Sequence, residues 1–217
     1  YAAIATRPHG NRAPCVNLGP CNTGCAQSAK SSVDVTYWPA ALSLGARLLT
    51  RTRVLRVLTD ADGVATGVEF RSPDNPTSVL KAKRIVLACN GVGTPRLLLN
   101  SASSQHPNGL ANSSDLVGRN LMLHPLGYVE GLFEEDLQSQ LGPQGCCIAS
   151  HEFYETRTEN EFVRGYSMQV LRGPAPLETA ISGVLRREIK WGKSHHDGFA
   201  RRFGHIASLA TIIEDLP

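Results

Sequence analysis

The sequence has no Gly-x-Gly-x-x-Gly segment anywhere in its 217 residues. The glycine cradle that brings a backbone against a dinucleotide pyrophosphate is therefore not expected within it. It also has no apolar run near the ~20 residues needed to cross a bilayer, so no transmembrane segment is expected. No signal peptide, internal repeat or low-complexity tract is visible. Aromatic residues make up only 6%, and neither sign of charge dominates: 22 Lys and Arg stand against 19 Asp and Glu, a net charge of +3. That balance gives no reason to expect a nucleic-acid partner. With 41% hydrophobic and 19% charged residues, the composition excludes a disordered chain. The chain opens at Tyr1 rather than Met and stops at Leu216-Pro217, just after a strand-like run. Together with the missing cradle, this reads as an internal piece of a larger protein.

The most informative stretch that is present runs from Ala82 to Ser101, AKRIVLACNGVGTPRLLLNS. Ile85 to Ala88 form a continuous apolar run, the pattern of a strand covered on both faces. The reading predicts a buried strand over Val79–Cys89, with Cys89 packed at its end. Asn90, Gly91 and Gly93 then supply a turn in which positive φ costs little. A helix is expected next, with Thr94 as N-cap and Pro95 at the first helical position. A helix start after a parallel strand offers free N–H groups and a positive dipole end, which suits an anionic ligand. Ala88, Asn90, Gly91 and Thr94 occupy the strand's carboxyl end, where open α/β sheets bind ligands, and are candidate cofactor contacts.

The surrounding chain supplies a consistent frame. Residues 1–33 read as a Gly-, Pro-, Asn- and Cys-rich loop. Asp34 to Leu44 reads as a helix stopped by Gly45. Leu48–Asp60 and Val64–Arg71 read as strands joined through the hairpin signal Asp60-Ala-Asp-Gly63. Near His124 to Gly131 the character changes, and strand-like patches follow around Cys147, Phe162–Val170 and Ile206–Ile213. The expected fold class is α/β, α+β overall.

These residues carry a family resemblance. The 82–101 stretch resembles a signature of the GMC (glucose–methanol–choline) flavoprotein oxidoreductases, with Thr94, Pro95, Leu98 and Leu99 matching. Val117-Gly-Arg-Asn-Leu-Met-Leu-His-Pro125 is similar to a second segment of the family. Ala29 to Ala41, Gly45 to Leu48, Arg53 to Val57 and Ala65 to Val68 resemble the helix and meander between. The resemblance covers about residues 10–130. It implies FAD as cofactor, a small-molecule alcohol substrate of the alcohol, sugar or sterol type, and hydride transfer from a CH–OH group to FAD. It implies that residues 1–128 are part of an FAD-binding domain with a β-meander and a parallel strand–helix unit. Residues 129–217 would be part of a mixed substrate-binding domain. It places Val54 where the family's backbone meets the flavin adenine. It also places the catalytic histidine C-terminal to this chain, so no catalytic residue is expected here and the fragment alone is expected to be inactive. The resemblance places His124, after Asn120-Leu121, near the cofactor; a solitary histidine is more often a satisfied structural residue, and it is not read as the base.

Cys15, Cys21 and Cys25 follow the spacing C-x5-C-x3-C. Thiolates grouped in a loop select zinc, copper(I) or iron–sulfur. The spacing resembles the [3Fe-4S] loop of the glucose and fructose dehydrogenase catalytic subunits within the same family. A cluster there would pass electrons to an electron-acceptor protein. Two alternatives stand beside it: a zinc site completed by His9, and cysteines that are simply packed or free. Cys146 and Cys147 are adjacent, a geometry that disfavours a bond between them, and neither is given a role.

Arg186 to Arg202 concentrates the basic residues around Trp191 and Phe199. With Glu188 and Asp197 inside it, the stretch reads as a solvated or docking face and not as a nucleic-acid site. A second overall reading, a non-enzymatic zinc-binding module with a basic partner-docking segment, uses the cysteines and this stretch. It leaves the 82–101 unit unexplained.

Overall fold

A computed structural model describes residues 4–19, 21, 23–143 and 146–215; the side chains of Cys146 and Cys147, like the chain ends Tyr1 and Leu216-Pro217, lie outside the described set. The fold is α+β, with helices and antiparallel sheets. Two compact units are present, one from Ala46 to Leu123, the other combining the chain up to Gly45 with the chain from His124 onward.

The 46–123 unit holds a three-stranded antiparallel meander in the order β1-β2-β3: β1 (Arg53–Thr59), β2 (Ala65–Ser72) and β3 (Asn75–Lys81). The expected hairpin closes through Asp60, whose Oδ1 accepts the N–H groups of Asp62 and Val64 at 3.0 and 2.9 Å, while Gly63 takes φ +79°. Helix α2 (Asn90–Asn100) packs on β1. Buried Ser101, just past the helix, links the two elements. Its Oγ accepts the Val57 N–H at 2.9 Å and donates to the Leu97 carbonyl at 2.6 Å. Val57 and Leu97 are the buried apolar residues beside this link. The Ser101 bond satisfies a backbone donor on an edge strand that has no strand neighbour there.

Two expectations for this unit are corrected. The third strand ends at Lys81, and the apolar run Ile85–Ala88 forms no strand and has no sheet partner among the described residues. Val86 is 87% exposed and Cys89 is exposed, so neither is packed. An all-apolar strand is buried only by strands and helices on both sides, and none of those described flanks it. The helix also begins earlier than expected, at Asn90, so Thr94 is not its N-cap and Pro95 lies inside it. Asn90 reverses the chain at φ +62°, and the capping then runs locally: Val92 N–H donates to Asn90 Oδ1 at 3.1 Å and Cys89 N–H to Thr94 Oγ1 at 3.2 Å.

In the second unit, α1 (Tyr37–Ser43) is shorter than the expected 34–44, because residues 33–36 form turns; Gly45 ends it at φ +90°. A four-stranded antiparallel sheet follows in the order β4-β7-β6-β5: β4 (Leu126–Leu132), β5 (Cys146–Ser150), β6 (Tyr166–Leu171) and β7 (Ile206–Ile213). Alternate residues of β7, from Ile206 through Ser208 to Ala210, are buried. The opposite face carries one register row, Val129–Leu209–Val170–Ile148, exposed by 68, 39, 37 and 66%.

Helices α3 (Pro176–Leu185) and α4 (His195–Ala200) form a hairpin between β6 and β7. Ile189, only 2% exposed, plugs it: a Cβ on Gly183 of α3 would meet Ile189 Cδ1 at 2.4 Å, and one on Gly198 of α4 its Cγ2 at 3.0 Å. Arg202 reaches Glu130 of β4 at 2.6 Å and Glu188 at 2.9 Å, and Arg186 reaches Glu130 at 3.4 Å. Part of the basic stretch is thus consumed by ion pairs that tie the hairpin to the sheet. The cysteine loop is pinned in the same unit, where Gly142 N–H donates to Asn17 O at 3.0 Å.

Candidate functional site

Ala88, Asn90, Gly91 and Thr94 come together at the start of α2. Ala88, Asn90 and Gly91 are exposed and Thr94 is half-buried. The first-turn N–H groups of a helix have no partner one turn earlier, so they point outward from this end. A Cβ on Gly91 would meet nothing within 4 Å, which leaves the backbone open to close approach. Thr94 contributes through the loop it holds, since its Oγ1 accepts the Cys89 N–H. The site therefore rests on backbone geometry, with Asn90 and Thr94 fixing the turn.

A cavity of about 430 Å³ lies beside this turn, lined on one side by Gly91, Pro95 and Leu99 and on the other by Gly118, Asn120 and Met122. Leu99 and Gly118, with 18 residues between them in the chain, thus bring two segments to one concave surface. Leu99 is the contact that fixes them, since a Cβ on Gly118, at φ +81°, would stand 3.1 Å from its Cδ1. Buried Asn112 supports the second segment. Its Oδ1 accepts the Val117 N–H at 3.0 Å, and its Nδ2 donates to the Asn108 carbonyl at 2.8 Å. Sequence reading missed Ser101 and Asn112, which position the site through backbone hydrogen bonds that leave no periodic signal. Gly118 and Asn120 had a signal, their place in a family-like segment, but were given no site role.

Val54 lies in the same unit on β1, 38% exposed and opposite Phe70, at a register shift in the edge strand. Such an irregularity frees local backbone groups from the ladder. His124 belongs to the other unit. Its Nδ1 is 3.0 Å from the Ile213 carbonyl and must carry the proton to donate there. The contact ties the start of β4 to the end of β7.

Cys15, Cys21 and Cys25 line a cavity of about 440 Å³ with Leu18, Ala29 and Gly142. The Lys30 backbone N–H holds the Cys25 thiol below its usual range. Burial opposes this, while the Gln27 and Ala29 N–H groups and the Lys30 charge reinforce it. The Arg12 guanidinium braces the loop through the Ser28 and Ala29 carbonyls at 3.0 and 2.7 Å and through Ser31 Oγ. Among the described residues, however, no group of three or more His, Cys, Asp or Glu is placed to hold a metal ion. The three cysteines border one cavity without converging as ligands. His9 is exposed, its backbone bridged to Arg12. On this ground neither the zinc reading nor the [3Fe-4S] reading gains support. No helix among the described residues is long and apolar enough to cross a membrane.

Comparison with known proteins gives these surfaces a context. The sequence profile of the family described as GMC oxidoreductase matches residues 4–126. The 2-methyl-1,2-propanediol dehydrogenase of Mycolicibacterium austroafricanum is 38% identical over 219 residues, covering 99% of this chain and 39% of the relative. The fructose dehydrogenase large subunit of Gluconobacter japonicus is 39% identical over 120 residues, covering 55% of this chain and 22% of the relative. The 6'''-hydroxyparomomycin C oxidase of Streptomyces lividus is 34% identical over 139 residues, 62% of this chain and 25% of the relative. The chain thus spans less than half the length of these curated relatives.

Proposed function

Because the chain belongs to the GMC oxidoreductase family, we propose that the protein it forms part of is an FAD-dependent oxidoreductase acting on the CH–OH group of a small alcohol. The observation that carries this reading is the cavity in which the α2 turn meets the Gly118–Asn120 segment. The residues present fit part of a flavin dinucleotide: an open glycine backbone, a helix start and an irregular edge strand. Ala88, Asn90, Gly91 and Thr94 would hold the cofactor at the α2 turn, and Val54 would meet its adenine through backbone groups. When bound, FAD supplies the hydride-accepting chemistry.

Within the chain, the work is binding and orientation. Asn90 keeps the turn open, Gly91 permits close approach, and Ser101 holds α2 on β1. No residue here is assigned the proton transfer, which is proposed to lie C-terminal to the chain. Residues 1–128 are the proposed share of the FAD domain, a division supported by the profile match to 4–126. Residues 129–217 are the proposed share of the substrate domain. Its substrate-facing wall would be the uncovered row Val129–Leu209–Val170–Ile148. The relatives' names support dehydrogenation or oxidation of an alcohol or sugar, and an electron-acceptor protein remains part of the proposal.

Replacing Gly91 by Val in the full-length enzyme tests the cofactor assignment. A branched side chain at the close approach should lower flavin affinity about tenfold or more, near 1.4 kcal/mol. The measurement is flavin content after dialysis, with recovery on adding excess FAD. Full retention of flavin by the folded variant would remove the α2 turn from the site. Iron and acid-labile sulfide analysis of the same holoenzyme decides the cysteine loop, since stoichiometric amounts of both would reinstate a [3Fe-4S] cluster on Cys15, Cys21 and Cys25.

A further inference from the structure

Helix α3 is packed in an inverted sense. Its small residues Thr179 and Gly183 are buried, while Leu177, Ile181 and Leu185, spaced four apart, are 71, 50 and 77% exposed. At 1.5 Å per residue they form a ridge about 12 Å long on one helix face. Just past the helix, Ile189 is drawn into the hairpin core, and Trp191, two residues on, is 84% exposed and meets the His195 ring edge-on. A ridge of leucine and isoleucine, followed six residues on in the chain by an exposed tryptophan, is costly in water and marks an interaction surface.

The charges around it have one prevailing sign. Arg186 and Arg202 are used by Glu130 and Glu188, but Arg187, Lys190, Lys193 and Arg201 are exposed with no carboxylate partner among the described residues. Glu178 at the start of α3 and Asp197 in α4 are the acidic groups on the same hairpin outside the Glu130–Arg202–Glu188 network.

We propose that the α3–α4 hairpin is a peripheral membrane-docking surface for an anionic phospholipid bilayer. Leu177, Ile181 and Leu185 enter the acyl boundary, Trp191 sits at headgroup level, and Arg187, Lys190 and Lys193 meet the phosphates. This combination of an apolar face, an interfacial tryptophan and snorkelling lysines suits a lipid surface, where each element finds its own depth. An anionic bilayer is the occupant because the unpaired basic residues outnumber the acidic ones on the hairpin. The surface shares no residue with the proposed cofactor contacts or with the row Val129–Leu209–Val170–Ile148, so it does not depend on them.

The test is sedimentation of the full-length enzyme with vesicles of phosphatidylcholine alone or of equal parts phosphatidylcholine and phosphatidylglycerol. Three basic residues at about a fivefold gain each predict roughly 100-fold tighter binding to the anionic vesicles, weakening as salt is raised. Leu185→Ser with Trp191→Ser should abolish sedimentation and leave turnover unchanged. Lys190→Glu with Lys193→Glu should remove the preference for anionic lipid. Vesicles should blue-shift the fluorescence of the parent protein, and Trp191→Phe should lose that shift. Equal binding to both vesicle types, or unchanged binding by the Leu185/Trp191 variant, would overturn the proposal. So would variants that lose a complex with an acidic protein but keep vesicle binding.

Discussion

Helices α2 and α3 each contain a proline, inside α2 and at the start of α3, and each carries three leucine or isoleucine residues, yet they bury opposite kinds of side chain. In α2, Leu97 is buried against β1 and Ser101 fixes the docking. In α3, Thr179 and Gly183 are buried and Leu177, Ile181 and Leu185 face outward. The difference lies in how close the neighbour comes. Helix α2 packs on β1 with room to bury Leu97. Helix α3 meets Ile189 so closely that a Cβ on Gly183 would overlap it at 2.4 Å. Packing distance, more than hydrophobicity, selects the buried face, and the displaced aliphatic ridge becomes available for another use.

Substitutions that break this comparison should rank accordingly. Leu97→Ala leaves a cavity between α2 and β1 and should cost about 2–4 kcal/mol in urea unfolding of the full-length protein. Gly183→Val forces a branched side chain against Ile189 and should cost about 1–3 kcal/mol, lowering the melting temperature without touching the flavin spectrum. Ser101→Ala orphans the buried Val57 N–H and should cost about 1–2 kcal/mol, with flavin loss on dialysis because α2 loses its anchor. Leu185→Ser should change stability by less than about 0.5 kcal/mol, since it removes exposed apolar surface. A cost near that of Leu97→Ala would show the α3 ridge to be packed in the whole protein.

A smaller effect concerns Cys25. Its thiol is held below the usual range chiefly by the Lys30 backbone N–H, so its thiolate is populated at lower pH than that of an ordinary cysteine. Iodoacetamide labelling followed by mass spectrometry should show its rate levelling off at lower pH than that of a free cysteine. A rate that levels off at or above the pH of a free thiol would mean those N–H groups do not stabilise it.

What was legible in the sequence was local. Asp60 and Gly63 specify the β1–β2 turn through bonds spanning four residues, and Gly45 ends α1 by its own backbone conformation. The strand-like patches around Cys147 and Ile206–Ile213 correspond to β5 and β7, while the patch Phe162–Val170 holds β6 only from Tyr166 on, since residues 162–164 form bends. Their order was not legible, because β7 inserts between β4 and β6 through pairings of distant segments. The run Ile85–Ala88 shows the same limit, since its burial depends on neighbours that a short window does not contain. At the site, Asn90, Gly91 and Thr94 were visible as turn chemistry, while the roles reversed: Asn90 opens the helix and Thr94 holds the preceding loop. The cavity joining α2 to Gly118–Asn120 was invisible, because it depends on Leu99 meeting Gly118 in space.

The proposed FAD site and CH–OH oxidation of the full-length protein can be tested together. The most direct test is the visible absorbance spectrum of the full-length protein, recorded without oxygen before and after adding a panel of small alcohols, diols and sugars. The account predicts flavin bands that bleach with at least one of them, and weaker bands in the Gly91→Val variant. A folded, colourless protein, or flavin bands that no CH–OH compound bleaches, would contradict it.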